Sequence, residues 1–511
     1  MTGAGLLVCG TASDVGKTIV VAGLCRALAR QGVRVAPFKA QNMSLNSFVT
    51  ADGLEIGRAQ AAQAWAAGVE PEAAMNPVLL KPGSDTSSQV IVMGRAVGER
   101  DASTFWGDDG PVAQSSLLDV VVDAYRDLAA RFDAVICEGA GSPAEINLRR
   151  SDIVNLGFAR ATDTPVLLVG DIDRGGVFAS FVGTLAVLDA ADQALIAGFV
   201  VNKFRGDVSM LEPGLHMLAD LTGRPTLGVL PFVRGLGVDA EDAIDFELLR
   251  SGPAPLGDDV LRVNVVAFPR MSNHTDIDAL ALEPGVVIRF VDQPAQLVDA
   301  DLVVLPGTRA TVSDLAWMRE RGIDIAVARH AAAGRAVLGI CGGYQMLGSS
   351  IEDGVESGAG TVAGLGLLPV DTSFGLEKVL ARPSMVLADG SVIEAYEIHH
   401  GIVGSSGGEP FVAAADGSGE GCRVGAVAGT VWHGVLENDA FRRRYLAEVA
   451  HACGRRFVVA SDISFAAERA ARLDRLGDLV ADHLDLVAVE ELLAGPRPDL
   501  PHLRLSRSSS G

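Results

Sequence analysis

The stretch Gly10–Thr18, GTASDVGKT, decides the fold of the first half of the chain. A short apolar run, Leu6–Cys9, precedes it and is typical of a buried strand, and a helical pattern of apolar residues follows it as far as Arg30. Strand, glycine-bearing loop and helix in this order are typical of a phosphate-binding loop. The loop is a variant, because five residues rather than the usual four separate Gly10 from Gly16.

The residue types in this loop predict that it binds a nucleoside triphosphate. Lys17 is expected to lie against the β- and γ-phosphates, and Thr18 to place its hydroxyl on Mg²⁺. The backbone around Gly10, Thr11 and Gly16 is expected to surround the phosphates. The alternative is a glycine turn that carries a surface lysine. The order of the elements favours the phosphate site, so ATP and Mg²⁺ are the predicted cofactors.

Apolar runs alternate with helical patterns along both halves of the chain. In the first half the further runs are Val33–Phe38, Ala134–Cys137, Pro165–Val169 and Ala197–Val201. After a stretch rich in turn formers, at residues 251–259, the runs are Arg262–Phe268, Asp301–Leu305 and Ala336–Ile340. This alternation predicts an α/β fold with two doubly wound, parallel sheets. We expect a P-loop domain at 1–250, a second α/β domain at 260–455 and C-terminal helices at 456–505.

The bulk composition bounds the class of protein. The chain has 511 residues, with 42 basic against 64 acidic residues and a net charge of −22, which argues against a nucleic-acid scaffold. Its six cysteines include no C-x-x-C pair, and few, scattered cysteines fit a reducing cytosol. We find no apolar run long enough for a membrane span. These features predict a cytoplasmic protein with neither nucleic acid nor membrane as a partner.

A second motif, GICGGYQ at Gly339–Gln345, follows the apolar run Ala336–Ile340. Small residues on both sides of Cys341 permit the tight strand-to-helix turn that exposes a nucleophile, and a helix N-terminus favours its thiolate. A buried structural cysteine is the alternative. The thiol also needs a base.

The first motif and two further features resemble dethiobiotin synthetase and its relatives, ATP-dependent enzymes that activate carboxylates. The loop matches their Gly-Thr-x-x-x-x-Gly-Lys-Thr pattern, Lys39 follows the second predicted strand, and EGAG at Glu138–Gly141 matches their acidic turn. The resemblance implies that Lys39 belongs to the nucleotide site and that Glu138 is a ligand of Mg²⁺. Asp52 is a plausible second acidic ligand, with a turn residue in ADG as the alternative.

The second motif resembles the class I glutamine amidotransferase domain, whose Gly-x-Cys-x-Gly-x-Gln signature it matches. The resemblance implies that Cys341 is the nucleophile, that His433 is its base, and that Gln345 helps to hold the amide of glutamine. It also implies an oxyanion hole of backbone N–H groups, to which we assign three residues, Gly307, Thr308 and Gly342.

The sequence departs from that family at one position. The usual member has a glutamate two residues after the histidine, whereas this chain has Val435. Glu437 is a candidate substitute. A Cys-His dyad is the other possibility, since the third residue of such triads mainly orients the imidazole.

Polar, glycine-bearing stretches at predicted strand ends extend the resemblance to nearly the whole chain. They are Lys39–Ser47, Asp171–Phe178, Asn202–Asp207 and Tyr396–Gly401. With the two motifs they resemble the cobyric acid synthase family, the glutamine-hydrolysing amidases of cobalamin biosynthesis. This implies four amidations, at carboxylates b, d, e and g of adenosylcobyrinic acid a,c-diamide, each with one glutamine and one ATP.

The substrates implied are therefore glutamine and a corrinoid polycarboxylate. Five residues in the polar stretches are candidates for contact with the corrinoid: Gln41, Asn42, Arg174, Lys203 and Arg205. For each of the three basic residues, surface solvation is the alternative.

Two other interpretations stay open. One is a cobyrinic acid a,c-diamide synthase, which shares both domains. The other is a P-loop switch ATPase of the partition type with a degenerate glutaminase-like module. Such a protein would hydrolyse ATP without a carboxylate substrate and would not deamidate glutamine. The intact cysteine motif argues against it.

Overall fold

The computed structural model describes residues 4–83, 87–101, 114–236, 253–495 and 497–503. Part of the stretch rich in turn formers at residues 251–259, and part of the C-terminal region predicted at 456–505, lie outside these ranges. The chain forms two compact units. The first contains Met1–Ser44, Leu54–Ala240 and Ala470–Gly511, and the second contains Leu45–Gly53 and Glu241–Arg469.

Strands are numbered along the chain. They are β1 (Ala4–Gly10), β2 (Val35–Phe38), β3 (Gln41–Met43), β4 (Ser47–Val49), β5 (Glu55–Gly57), β6 (Val78–Pro82), β7 (Ser87–Val92), β8 (Arg95–Asp101), β9 (Ala134–Glu138), β10 (Val166–Asp171), β11 (Ile196–Phe204), β12 (Thr226–Pro231), β13 (Leu261–Val266), β14 (Val286–Val291), β15 (Leu302–Leu305), β16 (Ala336–Ile340), β17 (Ser350–Asp353), β18 (Gly360–Ala363), β19 (Val370–Ala381), β20 (Ser384–Val386), β21 (Val392–Glu394), β22 (Glu397–Ser405), β23 (Val412–Ala413), β24 (Gly419–Glu420), β25 (Cys422–Val424) and β26 (Val427–Thr430).

The α-helices are α1 (Lys17–Arg30), α2 (Arg58–Ala67), α3 (Gln114–Arg131), α4 (Leu156–Thr162), α5 (Val177–Val187), α6 (Ala190–Gln193), α7 (Glu212–Thr222), α8 (Asp278–Ala281), α9 (Thr311–Glu320), α10 (Ile323–Ala332), α11 (Gly342–Leu347), α12 (Asp439–Ala452), α13 (Phe465–His483) and α14 (Leu486–Ala494). Short 3-10 helices lie at Ala73–Met75, Ile146–Ser151, Val208–Met210, His274–Ile277, Pro294–Leu297 and Val435–Glu437.

The first unit is built on a six-stranded sheet in the order β12-β11-β10-β1-β9-β2. All neighbouring strands in this sheet pair in parallel. Strands β1, β9 and β10 are almost wholly buried, as expected for a parallel sheet that is covered on both faces. Later strands lie on both sides of β1, so the end of β1 is a switch point of the topology, where open α/β sheets bind ligands. A second sheet has the order β3-β6-β7-β8.

The second unit is built on another six-stranded sheet, in the order β14-β13-β15-β16-β26-β25. Its strands pair in parallel except for β25, which pairs with β26 in the antiparallel sense. A smaller sheet, β18-β17-β19-β22, belongs to the same unit. The predicted fold class, two doubly wound α/β domains with C-terminal helices, is confirmed.

The end of the chain returns to the first unit. Helix α13 packs on α1 so closely that a Cβ atom on Gly23 would lie 2.3 Å from a methyl carbon of Val480. Arg26 pairs with Asp474 at 2.8 Å along the same contact. Among the described residues, no helix is both long enough and apolar enough to cross a membrane.

One buried ion pair joins α12 to the residues after α8 in the second unit. Arg442 has no exposed surface, and its Nε donates to Oε1 of Glu283 at 2.8 Å. Its other nitrogens donate to the Leu436 carbonyl at 2.9 Å and to Asp439 at 2.8 Å. A buried charge needs such partners, because desolvation costs several kcal/mol per ion.

We expect Arg442→Met to lower the free energy of unfolding by about 3–5 kcal/mol, because it leaves the buried Glu283 carboxylate without its closest partner. The matched control is Arg456→Ala in the same unit, which breaks an exposed pair with Asp258 and should cost less than about 1 kcal/mol. Urea denaturation of the full chain measures both. Equal losses in the two variants would contradict this ranking.

Candidate active sites

The phosphate loop of the first unit follows β1 directly and ends where α1 begins. Gly16 has a φ of +96°, and a Cβ atom there would lie 2.1 Å from Nδ2 of Asn202, so only glycine fits. The Asn202 amide donates to the Val15 carbonyl at 2.8 Å and holds the loop. No side chain caps the N-terminus of α1. This is the geometry in which a helix N-terminus and loop amides bind phosphate.

A buried polar cluster lies beside this loop and is centred on Glu138, the last residue of β9. Its Oε1 accepts hydrogen bonds from Thr18 Oγ1 and from Lys39 Nζ, both at 3.0 Å. Its Oε2 accepts a bond from Gln63 at 2.5 Å. Lys39 and Glu138 are each about 1% exposed. The structure thus brings together Thr18, Lys39 and Glu138, which were predicted from widely separated motifs.

Lys17 points back over the loop. Its Nζ donates to the carbonyls of Ala12 at 3.2 Å and of Gly141 at 3.3 Å, the second of which belongs to the EGAG turn. Burial lowers the pKa of Lys17, and the Glu138 carboxylate opposes part of that change. A lysine whose nearest acceptors are two carbonyls is suited to bind phosphate oxygens, which would complete its coordination.

The basic residues predicted for substrate contact lie at the ends of β10 and β11. Lys203 donates to the Asp14 carbonyl in the phosphate loop at 2.7 Å and pairs with Asp171 at 2.8 Å. Arg174 is largely exposed and lies 3.7 Å from the same Asp171 carboxylate. Lys203 therefore supports the loop, whereas Arg174 remains available to a ligand.

Arg205 makes two contacts of its own. Its guanidinium lies 3.4 Å from the centre of the Phe232 ring, and its Nε donates to Asp173 at 3.0 Å. Stacking on an aromatic face orients the guanidinium and leaves its edge accessible.

A pocket next to the EGAG turn contains one of the predicted substrate residues. It is lined by Gln41, the turn residues Ala140–Pro143 and several residues between Leu148 and Asn155. The Oε1 atom of Gln41 is buried there without a hydrogen-bond partner. Asn42, in contrast, is buried and donates to Oε1 of Gln60 at 2.8 Å.

Asp52 does not belong to the unit that contains Thr18 and Glu138. It lies in the segment Leu45–Gly53 of the second unit, is exposed, and accepts a hydrogen bond from Thr50 Oγ1 at 2.5 Å.

In the second unit, Cys341 forms the turn between β16 and α11. Its φ of 49° and ψ of −110° are unusual for a residue with a side chain, and such strain is typical of a nucleophile elbow. The turn requires glycine at position 343, because a Cβ atom there would lie only 2.0 Å from the Leu305 carbonyl oxygen. The Cys341 N–H donates to the Thr430 carbonyl at 2.8 Å and fixes the elbow to β26.

His433 is almost fully buried and lies close enough to Cys341 for the cysteine to affect its pKa. Its Nδ1 is 2.7 Å from Oδ2 of Asp276, whose other oxygen accepts the Gly434 N–H at 2.7 Å. Burial lowers the pKa of His433, but the Asp276 carboxylate and then Cys341 act more strongly together, so the pKa of the imidazole is raised. Cys341, His433 and Asp276 thus have the arrangement of a nucleophile, a base and an orienting acid.

Asp276 was missed in the sequence, where Glu437 was the candidate for this place. Glu437 instead pairs with Arg469 at 3.0 Å. The signal was present in SNHTDID, a polar stretch that follows β13 at the carboxyl end of the sheet. Nothing in that stretch alone indicated which histidine it would meet, because 157 residues separate Asp276 from His433.

The predicted oxyanion residues surround the elbow. A Cβ atom on Gly307 would lie 3.0 Å from Cε1 of His433, and one on Gly342 would lie 3.2 Å from the backbone nitrogen of Thr308. The Thr308 hydroxyl is held by Asp314 and by the Arg270 carbonyl.

Gln345 is buried one turn along α11. Its Oε1 accepts from Thr311 Oγ1 at 3.2 Å, and its Nε2 lies 3.4 Å from the Gly401 carbonyl. The signature glutamine is therefore fixed within the unit that contains the elbow.

Comparison with known proteins agrees with this geometry. Residues 6–242 match the family model described as the CobQ/CobB/MinD/ParA nucleotide binding domain, and residues 262–441 match the CobB/CobQ-like glutamine amidotransferase domain. The chain is 62% identical over 499 residues to the cobyric acid synthase of Streptomyces avermitilis, with 97% of each chain covered. The chain belongs to the cobyric acid synthase family.

Two further relatives are similar over nearly their whole length. The cobyric acid synthase of Streptomyces coelicolor is 62% identical over 499 residues and that of Frankia casuarinae is 58% identical over 518, with 97% of each chain covered in both cases. The predicted resemblance is therefore confirmed, as is the enzyme class, a glutamine-dependent ligase that uses ATP.

The oxygen atoms beside the phosphate loop show whether the nucleotide site fits Mg²⁺. Thr18 and Glu138 place a hydroxyl and a carboxylate 3.0 Å apart beside the loop. Mg²⁺ is usually bound by one or two carboxylates together with phosphate oxygens and water. Within the described ranges no three His, Cys, Asp or Glu side chains are clustered as a metal cage.

The raised pKa of His433 gives a direct test of the Asp276 assignment. In Asp276→Asn we expect the pKa of His433 to fall by about one unit or more, since a neutral amide replaces the carboxylate next to Nδ1. In the unchanged chain the ion pair stabilises the fold fully below pH ~6.5, and this contribution is lost as the pH rises through the raised pKa.

The measurement is a ¹⁵N NMR titration of the histidine rings, nine in all, with His433→Gln used for assignment. The matched control is Glu437→Gln, which should leave the His433 titration in place. A shift in the control as large as that in Asp276→Asn would contradict the assignment.

Proposed function

We propose that the chain converts adenosylcobyrinic acid a,c-diamide into adenosylcobyric acid. It would amidate carboxylates b, d, e and g, with one glutamine and one ATP consumed for each amide. The observation that carries this proposal is the presence in one chain of a phosphate loop with a buried Lys39–Glu138 pair and of a strained Cys341 beside His433 and Asp276. Full-length similarity to cobyric acid synthases supports it.

The second unit releases ammonia from glutamine. The Cys341 thiol gives its proton to Nε2 of His433 while its sulfur attacks the carboxamide carbon, and Asp276 holds the Nδ1–H and stabilises the imidazolium. Backbone N–H groups around Thr308 and Gly342 stabilise the oxyanion. His433 then returns the proton to the leaving ammonia. Water hydrolyses the thioester, which releases glutamate and restores the thiol.

The first unit makes the corrin carboxylate reactive. A carboxylate is a poor electrophile, and transfer of the γ-phosphoryl group of ATP converts it into an acyl phosphate with a good leaving group. Lys17 and Lys39 neutralise charge on the transferred group, and the loop backbone fixes the phosphates. Mg²⁺, when bound through Thr18 and Glu138, supplies further charge neutralisation. Ammonia then displaces phosphate and leaves the amide.

The pocket lined by Gln41 is the proposed place of the carboxylate arm that is being activated. It adjoins the EGAG turn, and that turn contacts Lys17. The unpartnered Gln41 oxygen offers an acceptor for a protonated or amide group of the substrate. Arg174 and Arg205 are proposed to pair with further corrin carboxylates, and Asn42 and Lys203 to support the site.

The remaining site residues have proposed roles in the same two reactions. Asp52 stays a predicted second acidic ligand. Thr11 and Gly10 are proposed backbone contacts to phosphate, and Gln345 a contact to the glutamine amide. A cytoplasmic location and the absence of nucleic acid among the partners are inferred from the acidic composition and the small-molecule substrates.

The two half-reactions should separate on mutation. We expect Cys341→Ala to lower glutamine-driven amidation by about 10³-fold or more while ammonium-driven amidation stays within about twofold of normal. Lys17→Ala should abolish both, since neither nitrogen source can react with an unactivated carboxylate. Mass spectrometry of the corrinoid counts the amides added. Glutamine-driven amidation at a normal rate in Cys341→Ala, or two added amides in place of four, would contradict the proposal.

A further inference from the structure

A short segment, Leu45–Gly53, belongs to different halves of the molecule by sequence and by structure. It lies inside the 6–242 match to the nucleotide binding domain. In the structure, however, it packs as part of the second unit, while the chain before it and after it belongs to the first. We call Leu45–Gly53 the inserted segment. Its contacts within the second unit converge on the residues that surround His433.

The first contact fixes the side-chain amide of Asn273. The backbone N–H of Ser47 donates to Oδ1 of Asn273 at 2.9 Å, and Oδ1 of Asn46 accepts the His274 N–H at 3.3 Å. Because its Oδ1 is an acceptor from Ser47, Asn273 must present Nδ2 on its other side. That Nδ2 lies 3.3 Å from Nε2 of His433. The orientation of a buried amide, which is often ambiguous, is set here by a backbone donor.

Asn273 is itself held in a demanding conformation. Its φ of 50° and ψ of 42° are left-handed, a region that asparagine tolerates better than most residues. It is 3% exposed and lies three residues before Asp276. The same short stretch therefore supplies the partners of both nitrogens of His433, Asp276 at Nδ1 and Asn273 at Nε2.

The second contact acts on the face of the imidazole. The Phe48 ring lies 5.1 Å from the Tyr396 ring, which is stacked on His433 at 5.2 Å with an interplanar angle of 23°. The backbones of Tyr396 and His433 exchange hydrogen bonds at 2.9 and 3.1 Å. The guanidinium carbon of Arg382 lies 5.4 Å from the centre of the Phe48 ring. Phe48 of the inserted segment thus packs against Tyr396, the ring that limits the tilt of the His433 imidazole.

We propose that the inserted segment is a positioning element of the glutaminase, which holds His433 through Asn273 and Tyr396 as a base with its lone pair on Nε2. The Asn273 donor at Nε2 favours the neutral imidazole, and the Asp276 acceptor at Nδ1 places the proton of that neutral ring on Nδ1. That tautomer is the one that can take the proton of Cys341. The inference rests on the proposed function, since it concerns the same histidine.

The sign of the effect on pH dependence follows from these contacts. The charged and titratable groups around His433 are Asp276, Cys341, Tyr396 and Glu397, and all four are unchanged in the Asn273 variants. Loss of the Asn273 donor removes an interaction that favours the neutral ring, so the acid limb of kcat/KM for glutamine hydrolysis should move to higher pH. In Asn273→Asp a carboxylate oxygen would face Nε2 and favour the imidazolium, so the limb should move further in the same direction.

The test uses the full chain and measures glutamate release and ammonium-driven amidation side by side. In Asn273→Ala we expect kcat for glutamine hydrolysis to fall about tenfold, with KM changed by less than about threefold and the acid limb raised by about half a unit or more. Asn273→Asp should move the acid limb to a still higher pH. Ammonium-driven amidation should stay within about twofold of normal in both variants.

The inserted segment is tested separately through its backbone. Ser47→Pro removes the N–H that orients Asn273, and Ser47→Ala, which keeps the N–H, is the reference against which it is compared. We expect Ser47→Pro to show the lower kcat and the raised acid limb relative to Ser47→Ala. If Ser47→Pro also loses ammonium-driven amidation, the fold is damaged and Phe48→Leu decides. That variant removes the ring behind Tyr396 and should lower kcat by about threefold or more.

The outcomes are distinguishable from a failure of the proposed function. Normal kcat and a normal acid limb in Asn273→Ala and Asn273→Asp would overturn the role of Asn273. The role of the inserted segment would be overturned if the Asn273 variants change as expected but Ser47→Pro has a normal kcat and a normal acid limb. Where Phe48→Leu decides, a normal kcat in that variant would overturn it. Full glutamine hydrolysis in Cys341→Ala would instead overturn the glutaminase assignment on which both depend.

Discussion

Parallel pairing of strands is the constraint on which both candidate sites depend. Carboxyl ends of parallel strands meet at one edge of a sheet, so residues that are far apart in sequence become neighbours there. In each unit the reactive side chains follow such ends, and the residues concerned are Gly10, Lys39, Glu138, Asp171 and Lys203 in the first unit and Asp276, Gly307, Cys341 and His433 in the second. The continuous apolar runs that form these strands are therefore a precondition of the chemistry.

Burial then gives these groups their properties. A lysine and a glutamate that are both about 1% exposed cannot rely on water for solvation, so each stabilises the charge of the other. The same logic applies to His433 and Asp276, where the carboxylate compensates for burial and keeps the imidazole basic. Both pairs are rigid because other hydrogen bonds fix them, from Thr18 and Gln63 on Glu138 and from Gly434 on Asp276. Charged groups that are already held in place stabilise the charge that develops in a transition state, without the free-energy cost of reorienting them.

The sequence indicated the parts of the structure that are local. The phosphate loop, the elbow at Cys341 and the alternation of strands and helices depend on residues close together along the chain, and all three were predicted. The partner of His433 was not, because Asp276 meets it only through the order of strands in the sheet. The place of Leu45–Gly53 was not predicted either, since its polar residues gave no sign that they would pack with the unit that contains Asn273.

We propose that each corrin carboxylate is phosphorylated before ammonia attacks it. The most direct measurement is oxygen transfer from an acceptor labelled with ¹⁸O in its free carboxylates. With glutamine and ATP present, one ¹⁸O should appear in inorganic phosphate for every amide formed, because the acyl phosphate breaks at its carbonyl carbon. Amides that form while the released phosphate stays unlabelled would contradict the claim.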